Sequence, residues 1–248
     1  QGTTGINTAI GGEPSLHWAT LASLICLLVS LNIYMLIYWS IIGLPEVPKI
    51  DAVFAITAVS SKADEVFQTT KKAITSIVNK YGTGNMQYGV ILFGSGASSY
   101  IDLASYSTSD ELKALVTKLP ILKGGPALDE ALKRAGKMFT SPNARKDAHQ
   151  ILVVISDKKT SSNLNDVISE ANKLQDLGVT VISVGLGSEA DENELQEITP
   201  DVSDIIVISK VVDSDDLRRK VMEKILKGTF YLRLFIDVSD LKQKGWRC

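Results

Sequence analysis

Short apolar runs alternate with longer amphipathic stretches from about residue 50 to residue 226. The first run lies in residues 51–61, where Val53, Phe54, Ala55 and Ile56 stand together. Consecutive apolar β-formers without polar alternation predict a strand buried on both faces. Residues 62–81 then carry Val66, Phe67, Ala73, Ile74, Ile77 and Val78 at three- and four-residue steps. That is the period of a helix with one buried face, and Gly82 supplies its stop. Further strands are expected at 86–94, 151–155, 179–185 and 205–208, with a hairpin partner of the second at 99–103. Ser156-Asp157 should end the 151–155 strand. Helices are expected at 110–119 (capped by Thr108 or Ser109), 127–139, 162–177 (capped by Ser162), 189–199 and 213–226. Strands alternating with helices predict an α/β fold: a doubly wound, mostly parallel six-stranded sheet, helices on both faces, and one antiparallel edge strand. In such sheets ligands sit beyond the carboxyl ends of the strands, which points to the loop at 57–61.

Two flanks lie outside this pattern. Residues 1–49 form a hydrophobic leader, with no Asp, Glu, Lys or Arg between Pro14 and Pro45. About 20 apolar residues suffice to cross a membrane, whereas the apolar region of a cleaved signal is about 7–15 long. Length favours a signal anchor. The closeness of the folded domain favours a cleaved signal peptide, with Ile41-Ile42-Gly43 as a tolerable cleavage context. A start at Met35 would leave a shorter signal. Each version sends the domain into the secretory route, either secreted or as the extracellular part of a single-pass membrane protein. The opening Gln1 suggests a piece of a longer protein. Residues 227–248 form a C-terminal extension whose Phe230 to Ile236 stretch is apolar enough for one more strand.

Composition narrows the function. The 248 residues carry a formal net charge of −2 and show no basic stripe suited to nucleic acid. One α/β domain, residues 50–226, can bury a full core without disulfides or metals. The two cysteines, Cys26 and Cys248, make neither a disulfide framework nor a zinc motif. Cys26 reads as a small apolar residue of the leader. Cys248 either pairs with another chain or domain, or is a free thiol. His17 and His149 are the only histidines, and no nucleophile–base pair, GxGxxG or P-loop is visible, so an enzyme is not expected. Glu189, Asp191, Glu192 and Glu194 read as a solvated acidic helix face, because their spacing is not that of a calcium loop.

Several stretches carry a family resemblance. Asp51 opens the first strand. Met86-Gln87-Tyr88-Gly89-Val90-Ile91-Leu92-Phe93-Gly94, Leu122-Lys123-Gly124-Gly125 followed by Glu130-Ala131-Leu132, Leu152-Val153-Val154-Ile155-Ser156-Asp157, and Leu177-Gly178-Val179-Thr180-Val181-Ile182-Ser183-Val184-Gly185 follow in order. Together they resemble the von Willebrand factor A domains, the family that includes integrin I domains, and specifically the matrix branch of matrilins and collagens. The resemblance implies a metal-ion-dependent adhesion site with Mg²⁺ or Mn²⁺ held by Asp-x-Ser-x-Ser, a Thr after the Gly-Gly turn, and the strand-four Asp. Here the triplet falls on Thr57, Val59 and Ser61, the Gly-Gly turn leads into Pro126, Ala127 and Leu128, and Asp157 remains. The site reads as degenerate, and no metal or other cofactor is expected. Ser61 would help to cap the first helix and Asp157 would bond to loop amides. Lys158, where the family usually has Gly, would either neutralise Asp157 or stand exposed. The resemblance implies a metal-independent binding module for extracellular matrix or cell-surface proteins, with a candidate face near Thr57, Ser61, Pro126, Asp157 and Lys158. The alternative is a structural spacer in a larger matrix assembly. The membrane would be met only through an uncleaved leader.

Overall fold

The computed structural model describes residues 48–59, 63–209 and 213–227. The leader, Ser61 and the tail beyond residue 227 lie outside these, with the expectations placed on them. The described elements are β1 (Ile50–Thr57), α1 (Ala63–Tyr81), β2 (Met86–Phe93), β3 (Ala97–Ile101), α2 (Ser109–Thr117), α3 (Leu128–Phe139), β4 (His149–Lys158), α4 (Leu164–Asp176), β5 (Thr180–Glu189), α5 (Glu192–Ile198), β6 (Ile205–Ile208) and α6 (Ser214–Ile225). They form one six-stranded sheet in the order β3-β2-β1-β4-β5-β6. Neighbours are parallel except β2 and β3, which make the antiparallel edge.

The strand pattern follows from burial. All eight residues of β1 are buried, because helices cover both faces of the sheet. Alternate side chains point to opposite faces. Phe54 and Ile56 join a cluster with Phe67 and Ile74 of α1, Leu112 of α2 and Val221 of α6. Val53 and Ala55 join the other cluster, with Leu132 of α3 and Leu174 of α4. Burying each such large apolar side chain stabilises the fold by about 1.5–3 kcal/mol. Gly89 brings α3 close to the sheet, since a Cβ there would lie 2.4 Å from the Met138 sulfur.

At the amino ends of the strands the chain is tied by one buried ion pair. Asp51 is fully buried and accepts from the Arg145 backbone N–H at 2.7 Å and its Nε at 2.8 Å. The Arg145 Nη2 continues to the carbonyls of Ile50 and Asn85. Asp51 thus anchors β1 to the loop before β4, far from the carboxyl ends where ligands bind.

Several local expectations need correction. β3 starts at Ala97, two residues early, to pair with Phe93. β4 does not stop at Ser156-Asp157. After a register shift Lys158 pairs with Glu189, which lengthens β5 and takes Glu189 out of the helix that follows. Ser162 does not cap α4. Asn163 does so through Oδ1, which accepts from Asn165 N–H, while the Ser162 hydroxyl donates to Asp129. Thr108 does cap α2, accepting from Glu111 N–H.

Candidate functional site

The carboxyl ends of β1, β4 and β5 carry the loops where the sequence placed a site. Beyond β1 the chain stays extended, and Val59 forms a parallel bridge to Leu122. Leu122 N–H donates to the Ala58 carbonyl at 2.6 Å. Val59 is therefore buried, with its methyls facing the backbone at Gly94, where a Cβ would meet Lys123 O at 2.8 Å and Val59 Cγ2 at 3.4 Å. Thr57 is also buried, and its hydroxyl donates to Ser156 Oγ at 3.3 Å. Ser156 in turn donates to the Lys158 carbonyl at 2.7 Å, within the stretch where β4 shifts register.

Asp157 differs from its expected role. Its Oδ1 is buried without a hydrogen-bond partner among the described residues. Burial pushes its carboxyl above the usual range, opposed by the nearby Lys158 charge and by its own backbone N–H, and reinforced by Glu189. Lys158 lies near enough to act through its charge but forms no close ion pair with Asp157 among the described residues.

The Gly-Gly-Pro turn is fastened from the opposite side. The Pro126 carbonyl accepts from Thr160 Oγ1 at 2.7 Å, Ser161 N–H at 2.8 Å and Ser161 Oγ at 3.0 Å. Thr160 Oγ1 also accepts from Leu128 N–H at 3.2 Å and Ser162 N–H at 3.1 Å. It thereby caps α3 from another loop, because Ala127, at the N-cap position, has no side-chain oxygen. Thr160 N–H donates to both carboxylate oxygens of Glu194, at 3.0 and 3.2 Å.

Glu194 overturns the reading of a wholly solvated acidic face, since it is only 4% exposed. Burial raises its pKa, partly offset by the Thr160 N–H, with Asp191 adding to the rise and Lys159 opposing it. Asp191 caps α5 through Glu194 N–H at 3.2 Å and pairs with Lys159 at 2.9 Å. Sequence reasoning missed both Thr160 and Glu194. The signal present was Asp191-x-x-Glu194, the spacing of a reciprocal cap, which implies a bond back to the N-cap. The carboxylate instead crosses to a loop 34 positions away.

An octahedral Mg²⁺ or Mn²⁺ would have to draw its ligands from these loops. They offer one carboxylate, one threonine hydroxyl already engaged with Ser156, and valine methyls at the second triplet position. Among the described residues no group of three acidic, His or Cys side chains converges on a metal position. A hard divalent cation needs about six oxygens in near-ideal geometry, and the described residues, which do not include Ser61, do not by themselves supply such a set.

Comparison with known proteins gives a consistent picture. A family model described as the von Willebrand factor type A domain matches residues 51–223. The collagen alpha-5(VI) chain of Mus musculus is 28% identical over 200 residues, covering 78% of this chain and 7% of the collagen. Matrilin-1 of Mus musculus is 31% identical over 152 residues, covering 60% of this chain and 30% of the matrilin. This chain thus spans only a minor part of either relative. Proximal thread matrix protein 1 from the mussel byssus shares the fold, with a TM-score of 0.66 at 21% identity over 72% of this chain and 48% of the other.

Proposed function

Because this chain belongs to the von Willebrand factor type A domain family, we propose that it is an extracellular matrix or adhesion module that binds other proteins without a bound metal. Likeness to a collagen VI chain and to matrilin-1 supports the matrix setting and extracellular protein partners. The observation that carries metal independence is the set of contacts at the carboxyl ends of the strands. Thr57 turns its hydroxyl to Ser156, Val59 packs against the Gly94 backbone, and Thr160 and Glu194 fasten the Gly-Gly-Pro loop. Protein side chains thus perform the cross-linking of loops. The binding face comprises the surfaces around Pro126, Asp157 and Lys158. The apolar leader supports secretion or display outside a membrane.

The tagged full chain, incubated with matrix extract, should retain the same partners in Mg²⁺ and in chelator. Loss of partners on chelation would contradict metal independence. A second reading, a spacer within a longer matrix protein, is favoured by the small share of its relatives that this chain spans. It predicts no specific partner under either condition.

A further inference from the structure

We propose that the open edge of β6 binds an extended, β-branched segment of another protein, which carries a lysine or arginine at one end and adds to the sheet as one more strand. The site is separate from the loops at the carboxyl ends of the strands. β6 is the last strand of the sheet, and among the described strands it pairs only with β5. An edge strand presents a row of unpaired N–H and C=O groups, a template for a further strand. The opposite edge is guarded. There β3 meets β2 across a register shift between Val90 and Ile91 and carries Ser98 and Ser99. Such a bulge twists an edge away from new partners. β6 has no such guard. It reads Ile-Ile-Val-Ile, without Pro or charge, in one continuous register with β5.

The two flanks of this edge are unequally covered. Ile206 and Ile208 join the cluster that holds Leu217 and Val221 of α6. Val207 points to the other side of the sheet and is 43% exposed, and Val202, just before the strand, is 67% exposed. An added strand would lay an apolar side chain across Val207, the kind of cross-strand pair that stabilises sheets. At the amino end of β6, Asp201 and Asp204 both pair with the ammonium of Lys227, at 2.7 and 3.0 Å. Two carboxylates against one ammonium leave negative charge in excess, which suits a basic residue at the end of the incoming segment.

A strand reaching this edge through α6 would need a left-handed crossover. The outward steps from β4 to β5 and from β5 to β6 pass through α4 and α5, whose Leu174 and Ile198 lie in one cluster, whereas α6 packs with α1 in the other. Crossovers between parallel strands of one sheet are right-handed in about 98% of cases. The geometry therefore favours a strand from another molecule. A second copy meeting β6 edge to edge would touch along four residues. That is about 13 Å of strand, too short a seam for the roughly 1,600 Å² of a standard interface. A single extended segment can follow the edge, drawing affinity from main-chain bonds and selectivity from alternate side chains.

The test uses the full chain and a fluorescein-labelled peptide, Arg-Val-Thr-Val-Thr-Val-Arg, read by anisotropy and by amide hydrogen exchange. An arginine at each end serves either strand direction. The peptide should bind and slow exchange in β6 but not in β3. The same peptide N-methylated at every Val and Thr cannot donate main-chain bonds and should not bind. Val207→Lys, which removes the apolar contact and repels the arginines, should lose about fivefold or more in affinity, while Val207→Ile should bind as the parent does. Asp201→Asn should lose up to about fivefold at low salt and less as salt rises. Ser98→Lys, on the opposite edge, should leave binding unchanged. Absence of peptide binding, equal binding of the N-methylated form, protection in β3 or the carboxyl-end loops instead of β6, or equal losses in Val207→Lys and Ser98→Lys would each overturn the proposal. Protection of β6 without peptide that disappears on dilution would give the edge to a second copy and would also overturn it.

Discussion

Arg145→Met should be among the most damaging substitutions outside the apolar core. Asp51 has no exposed surface, while the Arg145 side chain is 19% exposed. Removing the guanidinium leaves a buried carboxylate with the Arg145 backbone N–H, which the variant retains, as its remaining donor in the pair. Breaking a buried pair by deleting one partner costs about 3–5 kcal/mol. The retained N–H favours the lower end, but the carbonyls of Ile50 and Asn85 also lose a donor. A loss of about 3 kcal/mol in a domain of this size lowers the melting temperature by roughly 6–12 °C. Urea unfolding is the assay, with an unchanged slope showing that the native and unfolded states keep their compactness. Asp51→Asn combined with Arg145→Met should recover much of the loss, because the double variant buries no unpaired charge and an amide oxygen can still accept the backbone N–H. A loss under about 1 kcal/mol for Arg145→Met would refute the reasoning, since exposed pairs cost that little. A double variant as weak as the single would locate the cost in lost packing rather than in a stranded charge.

Two further predictions concern the loops at the carboxyl ends of the strands. Glu194 has a folded pKa raised above its ordinary 4.5, so between the two values the native state holds more protons than the unfolded chain. Stability from this group therefore falls as pH rises through that window. Measured against the non-titrating Glu194→Gln, the parent should lose relative stability as pH climbs from about 4.5, and then level off; a difference that grows in the parent's favour would contradict the burial argument. Gly94→Ala should cost about 1–3 kcal/mol in chemical unfolding, because its Cβ meets the Lys123 backbone oxygen, and more than Gly89→Ala, whose Cβ meets the flexible Met138 side chain.

Element order and the buried sides of the sheet were legible because local pattern and burial agree. The run Val53 to Ile56 is apolar throughout, and helices do cover both faces of β1. Boundaries moved where long-range pairing prevailed over local signals. Ser156-Asp157 looks like a strand end, yet Lys158 finds Glu189 across a register shift. The Thr160–Glu194 contact was not legible. Thr160 lies in a loop and Glu194 in α5, 34 positions apart, and the local spacing of Asp191 and Glu194 implies a cap within one helix turn. Nor does the sequence separate Lys71 from its exposed neighbour Lys72. Only the approach of α2 brings the Thr117 carbonyl to Lys71.

Mg²⁺ dependence of thermal stability addresses the metal-free account most directly. A ligand that binds only the native state stabilises it by RT ln(1 + [L]/Kd), about 2.7 kcal/mol at 100 times Kd, so even a weak site shows in excess ion. The parent protein should melt at the same temperature in Mg²⁺ and in chelator. The variant Thr57→Asp/Val59→Ser/Ala127→Thr, which returns a second carboxylate and two hydroxyls to the cleft beside Asp157, should gain a Mg²⁺-dependent rise and be the less stable of the two in chelator, where its carboxylates repel. A clear Mg²⁺-dependent rise in the parent would show that Thr57, Asp157 and their neighbours hold the ion after all.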